Sequence, residues 1–177
     1  MDHKITLVIG GCRSGKSGFA LDEANGIGGP EKIFLATSVP RDPEMDRRVA
    51  KHQAERGKDW QTVEEPVDIH EVIETRSEKA DVILVDCLTL WTSNLMVQEE
   101  DESKIFEYTE KLVKALKKSQ CPVFLVANEV GTGIVPDNAL ARQFRDLAGF
   151  VNQRIAGAAD RVVLTVAGIG VQIKPKE

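Results

Sequence analysis

The sequence predicts an α/β fold, a mostly parallel central sheet with helices on both faces. Three observations carry it. Short runs at 5–9, 82–86 and 123–127 are apolar almost throughout, as strands buried on both faces must be. They alternate with amphipathic stretches of helical length, and strand–helix alternation gives right-handed crossovers and parallel pairing. A glycine-rich turn separates the first strand from the first helix, the place where such sheets bind ligands.

Taken in order, residues 5–9 (Ile-Thr-Leu-Val-Ile) read as a buried strand, followed by a glycine loop and a helix over 16–24. Residues 32–36 form a second strand. A helix spans 43–56, with Asp42 suited to the N-cap and Pro43 to the first helical position. A short strand at 60–64 leads to a helix over 68–79, and 82–86 is a strand. A helix covers 101–118, with acids at its start (Glu99, Glu100, Asp101, Glu102) and Lys114, Lys117 and Lys118 toward its end, so its charges complement its dipole. A strand at 123–127, a long helix over 138–158, a strand at 161–167 and a short strand at 170–174 complete the chain. Residues 26–30 and 131–136 are loops. Neither a repeat nor a low-complexity linker divides the chain, so 1–177 reads as one domain.

Composition excludes several classes. Net charge is −5 without a long basic run, which argues against a nucleic-acid partner. No apolar run approaches the ~18 residues of a membrane span, and no signal peptide precedes the first strand. Cys12, Cys87 and Cys121 are odd in number and lack CxxC spacing, so a reducing, cytoplasmic setting is expected. Cys12 and Cys87 read as small buried side chains, and His3 and His70 as surface residues.

The segment Gly10-Gly11-Cys12-Arg13-Ser14-Gly15-Lys16-Ser17 is a complete Walker A match between an apolar strand and a helix. Glycines let several N–H groups turn inward, the helix adds its positive end, Lys16 supplies a cation for the β- and γ-phosphates, and Ser17 can ligate Mg²⁺. Asp86 ends a hydrophobic strand as a Walker B acid would. Its alternatives are a base or ribose contact and an ordinary helix cap.

On the 43–56 helix, Arg48, His52 and Arg56 recur one turn apart. Two guanidiniums beside an imidazole favour its neutral, nucleophilic form, and would hold phosphates during transfer. The competing reading of His52 is packing near Met45 and Val49. In the last long helix, Leu140, Phe144, Leu147, Val151 and Ile155 form an apolar stripe. Arg142, Arg145, Gly149 and Asn152 form a second stripe, either a solvated face or a candidate site for an acceptor phosphate.

These motifs together resemble the bifunctional adenosylcobinamide kinase / adenosylcobinamide-phosphate guanylyltransferase family of cobalamin biosynthesis. The resemblance runs along nearly the whole chain. It is carried by the Walker A segment, Ala36-Thr37-Ser38, the Glu44-Met45…Arg48…His52 helix and Val85-Asp-Cys-Leu-Thr89. It continues through Asn128-Glu-Val-Gly-x-Gly-Ile-Val-Pro136, Arg142-x-Phe-Arg-Asp146 and Asn152-Gln153. It implies phosphorylation of the aminopropanol hydroxyl of adenosylcobinamide by ATP or GTP. Transfer of GMP from GTP through a guanylyl-histidine to adenosylcobinamide phosphate then gives adenosylcobinamide-GDP. It implies that His52 is the nucleophile, and that nucleotide contacts come from the Walker A residues, Ala36, Thr37, Ser38, Gln53, Ala54, Glu55, Arg56, Glu64 and Asp86. It implies a ring-like homotrimer. Cys12 and Gly170 depart from the family pattern, where a small residue and a proline are usual. A P-loop small-molecule kinase lacking the nucleotidyl step, and a nucleotide-dependent switch, are the alternatives that the P-loop alone would allow.

Overall fold

The computed structural model describes residues 4–38, 59–99 and 101–175. Among them the elements run β1 (Ile5–Gly10), α1 (Lys16–Asn25), β2 (Lys32–Ala36), β3 (Trp60–Glu64), α2 (Ile69–Arg76), β4 (Val82–Asp86), α3 (Leu88–Gln98), α4 (Glu102–Lys118), β5 (Val123–Asn128), α5 (Ala139–Ala158), β6 (Arg161–Val166) and β7 (Ile169–Lys174). The expected helix over 43–56, which carries His52, Gln53, Ala54, Glu55 and Arg56, lies outside the described residues.

The strands form one sheet in the order β3-β2-β4-β5-β1-β6-β7. All neighbours pair in parallel except β6 and β7. The apolar strands send alternate residues to two cores. Leu7, Ile9, Leu35, Ile83, Val85, Val123 and Leu125 join the larger one, beneath α2 to α5. Val8, Phe34, Val82, Leu84, Phe124 and Val126 meet Ala20 and Ala24 of α1 on the opposite face. Helices therefore cover both faces, as the sequence leads one to expect. β1 lies near the middle of the sheet, flanked by β5 and β6.

Four expectations are corrected. Helix α3 is missing from the sequence reading because its polar and apolar residues are not segregated: Leu88, Trp91, Thr92 and Leu95 are buried, and the rest mix Leu90, Met96 and Val97 with Thr89, Ser93, Asn94 and Gln98. With no contrast between faces, the 3.6-residue period carries no signal. Leu140 is 64% exposed rather than part of the core stripe, because the first turns of α5 run past the sheet and only Leu147, Ala148, Val151, Asn152 and Ile155 reach the interior. His70 is buried, not at the surface, with its ring edge-on to Tyr108. Cys12 is exposed at the loop crest, whereas Cys87 is buried as expected.

The chain ends in a hairpin. Ala167 and Gly168 both take positive φ, at 50° and 84°, the two-residue turn that matches strand twist. β7 pairs Val166 with Ile169 and Thr165 with Gly170. Local capping fixes the two long helices: the Asp101 carboxylate accepts from Ser103 N–H at the start of α4, and Asn138 Oδ1 accepts from Ala141 N–H at the start of α5.

Candidate functional site

The Walker A segment forms a tight loop between β1 and α1. Ser14 N–H donates to Gly11 O and Phe19 N–H to Gly15 O, while Lys16 Nζ reaches back to Gly11 O at 3.1 Å. Arg13 and Gly15 adopt positive φ, at 55° and 92°. Such turns set successive N–H groups toward one concavity, which attracts anions, and the first turn of α1 adds its unpaired N–H groups to it.

Two glycines there are demanded by close packing. A Cβ on Gly10 would lie 2.4 Å from both Ser14 Oγ and Thr165 Oγ1. A Cβ on Gly15 would lie 2.9 Å from Gly168 Cα. The terminal hairpin thus sits against the loop. Ser14 Oγ and Thr165 Oγ1 are 2.8 Å apart in a buried hydrogen bond, and Gly168 N–H donates to Ser14 O at 2.9 Å. Thr165 and Gly168 have no signal in the sequence, because their role exists only once β6 has paired with β1.

The parallel register brings the remaining positions to the same edge. Gly10 stands opposite Asn128, Asp86 opposite Val126 and Ala36, and Ala36 opposite Glu64. With strands ~4.8 Å apart and Asp86 level with Val8, two residues before Gly10, Asp86 lies ~12 Å from Gly10 and Glu64 ~20 Å from it. Asp86 is half-buried and Glu64 exposed. Thr37 is fully buried; its N–H donates to Asp86 O, and its hydroxyl donates to Cys87 O while accepting from Cys87 N–H. Asn94 Nδ2 donates to both Thr37 O and Pro66 O, tying the ends of β2 and β3 to α3. Ser38 is partly exposed beyond Thr37. Walker A residues, Ala36, Thr37, Ser38, Glu64 and Asp86 therefore share one sheet edge. Ser17 in the first turn of α1 and Asp86 are hard oxygen donors of the kind Mg²⁺ takes.

Burial, then the Asp86 charge, push the Cys87 thiol up to about 11. A thiol held neutral is neither nucleophile nor metal ligand, which fits its reading as a small packed side chain.

The second stripe of α5 divides. Arg142 Nη1 donates to Pro136 O and Asp137 O, so it fastens the loop before its own helix. Asn152 is buried and donates to Asn128 O. No atom lies within 4 Å of a Cβ built on Gly149, so this glycine faces open space, with no close approach to explain it. Arg145 Nη2 donates to Gly131 O at 2.7 Å, while its Nη1 is buried without a partner among the described residues. The open groove between the C-terminal ends of α2 and α4, lined by Glu74, Ser77, Glu78, Lys118 and Gln120, lies at the other edge of the sheet.

A phosphate loop with an acid two strands away is common to many nucleotide-binding chains, and solved structures reflect that breadth. A KaiC-like protein from Pyrococcus horikoshii superposes with a TM-score of 0.53 at 18% identity, over 91% of this chain and 70% of its own. The flagellar accessory protein FlaH from Methanocaldococcus jannaschii gives 0.55 at 14%, over 97% and 78%. These likenesses describe the fold. Sequence comparison is more specific. The bifunctional adenosylcobalamin biosynthesis protein CobP of Pseudomonas aeruginosa is 38% identical over 95% of this chain and 96% of its own length. The CobU proteins of the same description from Salmonella typhimurium and Escherichia coli are 41% and 40% identical, each over 95% of this chain and 98% of theirs. Residues 6–173 match the model for one family from β1 to β7, taking in the phosphate loop, the acid-bearing edge and the hairpin that closes on it: the chain belongs to the cobinamide kinase / cobinamide phosphate guanyltransferase family.

Proposed function

We propose that this chain phosphorylates adenosylcobinamide and then guanylylates the product, with His52 as the covalent carrier of GMP. The observation that carries the reading is the shared sheet edge, where the phosphate loop, the Thr37 segment, Asp86 and Glu64 stand in one row.

In the first reaction the loop from Gly10 to Ser17 cradles the triphosphate of ATP or GTP, and Lys16 balances charge on the β- and γ-phosphates. The acceptor hydroxyl attacks the γ-phosphorus, its proton is lost, and the bond to the β-phosphate oxygen breaks. Positioning and charge neutralisation supply most of such a rate enhancement. Mg²⁺, held by Ser17 and on the Asp86 side, would shield phosphate charge.

In the second reaction the neutral His52 imidazole attacks the α-phosphorus of GTP. A phosphorus–nitrogen bond forms and pyrophosphate leaves. A phosphate oxygen of the acceptor then attacks that phosphorus, the phosphorus–nitrogen bond breaks, and the product carries GDP. Gln53, Ala54, Glu55, Arg56, Ala36, Thr37, Ser38, Glu64 and Asp86 complete the nucleotide contacts. The enzyme acts in the cytoplasm as a homotrimer; family membership supports both.

Incubation with GTP and Mg²⁺ tests the reading. Mass spectrometry is expected to find an acid-labile GMP adduct on His52. An adduct that persists in His52→Ala refutes the carrier role, and triphosphate turnover without any adduct leaves a simple kinase.

A further inference from the structure

Three buried side-chain nitrogen or oxygen atoms lack a hydrogen-bond partner among the described residues, and two of them flank the end of β5: Asn128 Oδ1 and Arg145 Nη1. The third, His70 Nδ1, belongs to the start of α2. Buried polar groups are almost always paired, and a buried guanidinium edge without an acceptor is the costlier kind of exception.

The surroundings fix the Arg145 guanidinium and the Asn128 backbone. Arg145 is fixed by its bond to Gly131 O, and among the described residues no carboxylate pairs with it. Glu129, which is near enough to bond Gly131, spends its carboxylate on Gly131 N–H instead. Asn128 is fixed through its backbone: its N–H donates to Thr89 Oγ1 and its carbonyl accepts from Asn152 Nδ2. That strand end is continuous with the phosphate loop, since Asn128 stands opposite Gly10 and Glu129 N–H donates to Gly10 O. Arg142 and Asn152, the other polar members of the same helix stripe, have their polar groups occupied by backbone carbonyls.

We infer that Arg145 and Asn128 form the subsite for the phosphorylated acceptor. Nη1 of Arg145 donates to the phosphomonoester, and Asn128 Oδ1 accepts from an N–H on the arm that carries it. This deepens the proposed function and rests on it for the identity of the acceptor. Unphosphorylated acceptor gives Nη1 no anion, so the subsite favours the product of the first reaction over its substrate. Arg145 is thereby a specificity residue for the second reaction rather than part of the triphosphate cradle.

Equilibrium dialysis of adenosylcobinamide and adenosylcobinamide phosphate against the full chain reads the preference without turnover. Wild type is expected to bind the phosphate form more tightly. A charge-assisted hydrogen bond is worth about 1.5–3 kcal/mol, or about 10- to 150-fold, and Arg145→Met should erase a preference of that order. Arg145→Lys should restore part of it, and GTP binding should be unchanged in both. If Arg145→Met keeps the preference, or weakens both acceptors and GTP in parallel with a lowered melting temperature, Arg145 is a structural clamp and the inference is wrong. If the preference is present and depends on Arg145 but no GMP transfer occurs, the proposed reaction fails while the subsite stands.

Discussion

Thr165→Val probes the contact between the terminal hairpin and the phosphate loop. Valine keeps the shape of threonine and replaces Oγ1 with a methyl group. The hydroxyl of Ser14, a residue only 8% exposed, then loses its buried partner at 2.8 Å. A lost hydrogen bond costs about 1 kcal/mol, and a stranded buried hydroxyl raises this to about 2 kcal/mol. In a chain of this size that lowers the melting temperature by about 4–8 °C. Ser14→Ala should cost less, about 1 kcal/mol, because Thr165 Oγ1 retains Ile9 O at 3.4 Å as a weaker acceptor. The double variant should then cost about 2 kcal/mol rather than 3, a coupling of about 1 kcal/mol. Denaturant unfolding of the four proteins measures it. Single effects that add to within about 0.3 kcal/mol would show that the hydroxyl pair does not link hairpin and loop.

Further outcomes are expected. Gly15→Ala meets Gly168 Cα at 2.9 Å from a positive φ, so it should abolish nucleotide binding by calorimetry while the far-ultraviolet circular dichroism persists. Asn94→Ala removes the donor to Thr37 O and Pro66 O and should cost about 2 kcal/mol in denaturant unfolding, with weakened GTP binding. Cys87 titrates near 9.0 when unfolded and about 11 when folded, so the folded state holds its proton longer. Its contribution is present below pH 9 and is lost as pH rises toward 11, by about 2–3 kcal/mol. The difference in unfolding free energy between wild type and Cys87→Ala should shrink across that window; a constant difference would contradict it. Trp91→Phe keeps most of the buried ring but leaves Val67 O without its indole donor, and should cost about 1–3 kcal/mol.

The sheet was legible in the sequence wherever burial was two-sided. Runs such as 82–86 and 123–127 cannot be amphipathic, and each appears as a strand in register with its neighbours. The phosphate loop was legible because its spacing is dictated by the ligand it wraps. Helix α3 escaped for a different reason: its polar and apolar residues are spread around the helix, so it shows no period. Leu140 and His70 were misplaced because the sequence records a residue's chemistry and not how far its helix extends past the sheet, or what packs over it. At the site, Arg142 and Arg145 were indistinguishable by spacing. Their separation into a loop fastener and a guanidinium with one nitrogen left unpaired among the described residues depends on which carbonyls of 131–137 each one reaches.

The order of the strands has a consequence for biosynthesis. Residues 10–17 leave the ribosome well before the strands that flank β1: Ile5 waits for Val123, Thr6 for Arg161 and Ser14 for Gly168. Contacts so distant along the chain form late, because a long loop must close before they are rewarded. A nascent chain that stops before β6 carries the whole motif and still exposes one edge of β1, an unpaired edge of the sort that invites aggregation. Nucleotide stabilisation therefore awaits the pairing of β6 and β7, and ligand rescue during synthesis should be absent for any fragment lacking this hairpin.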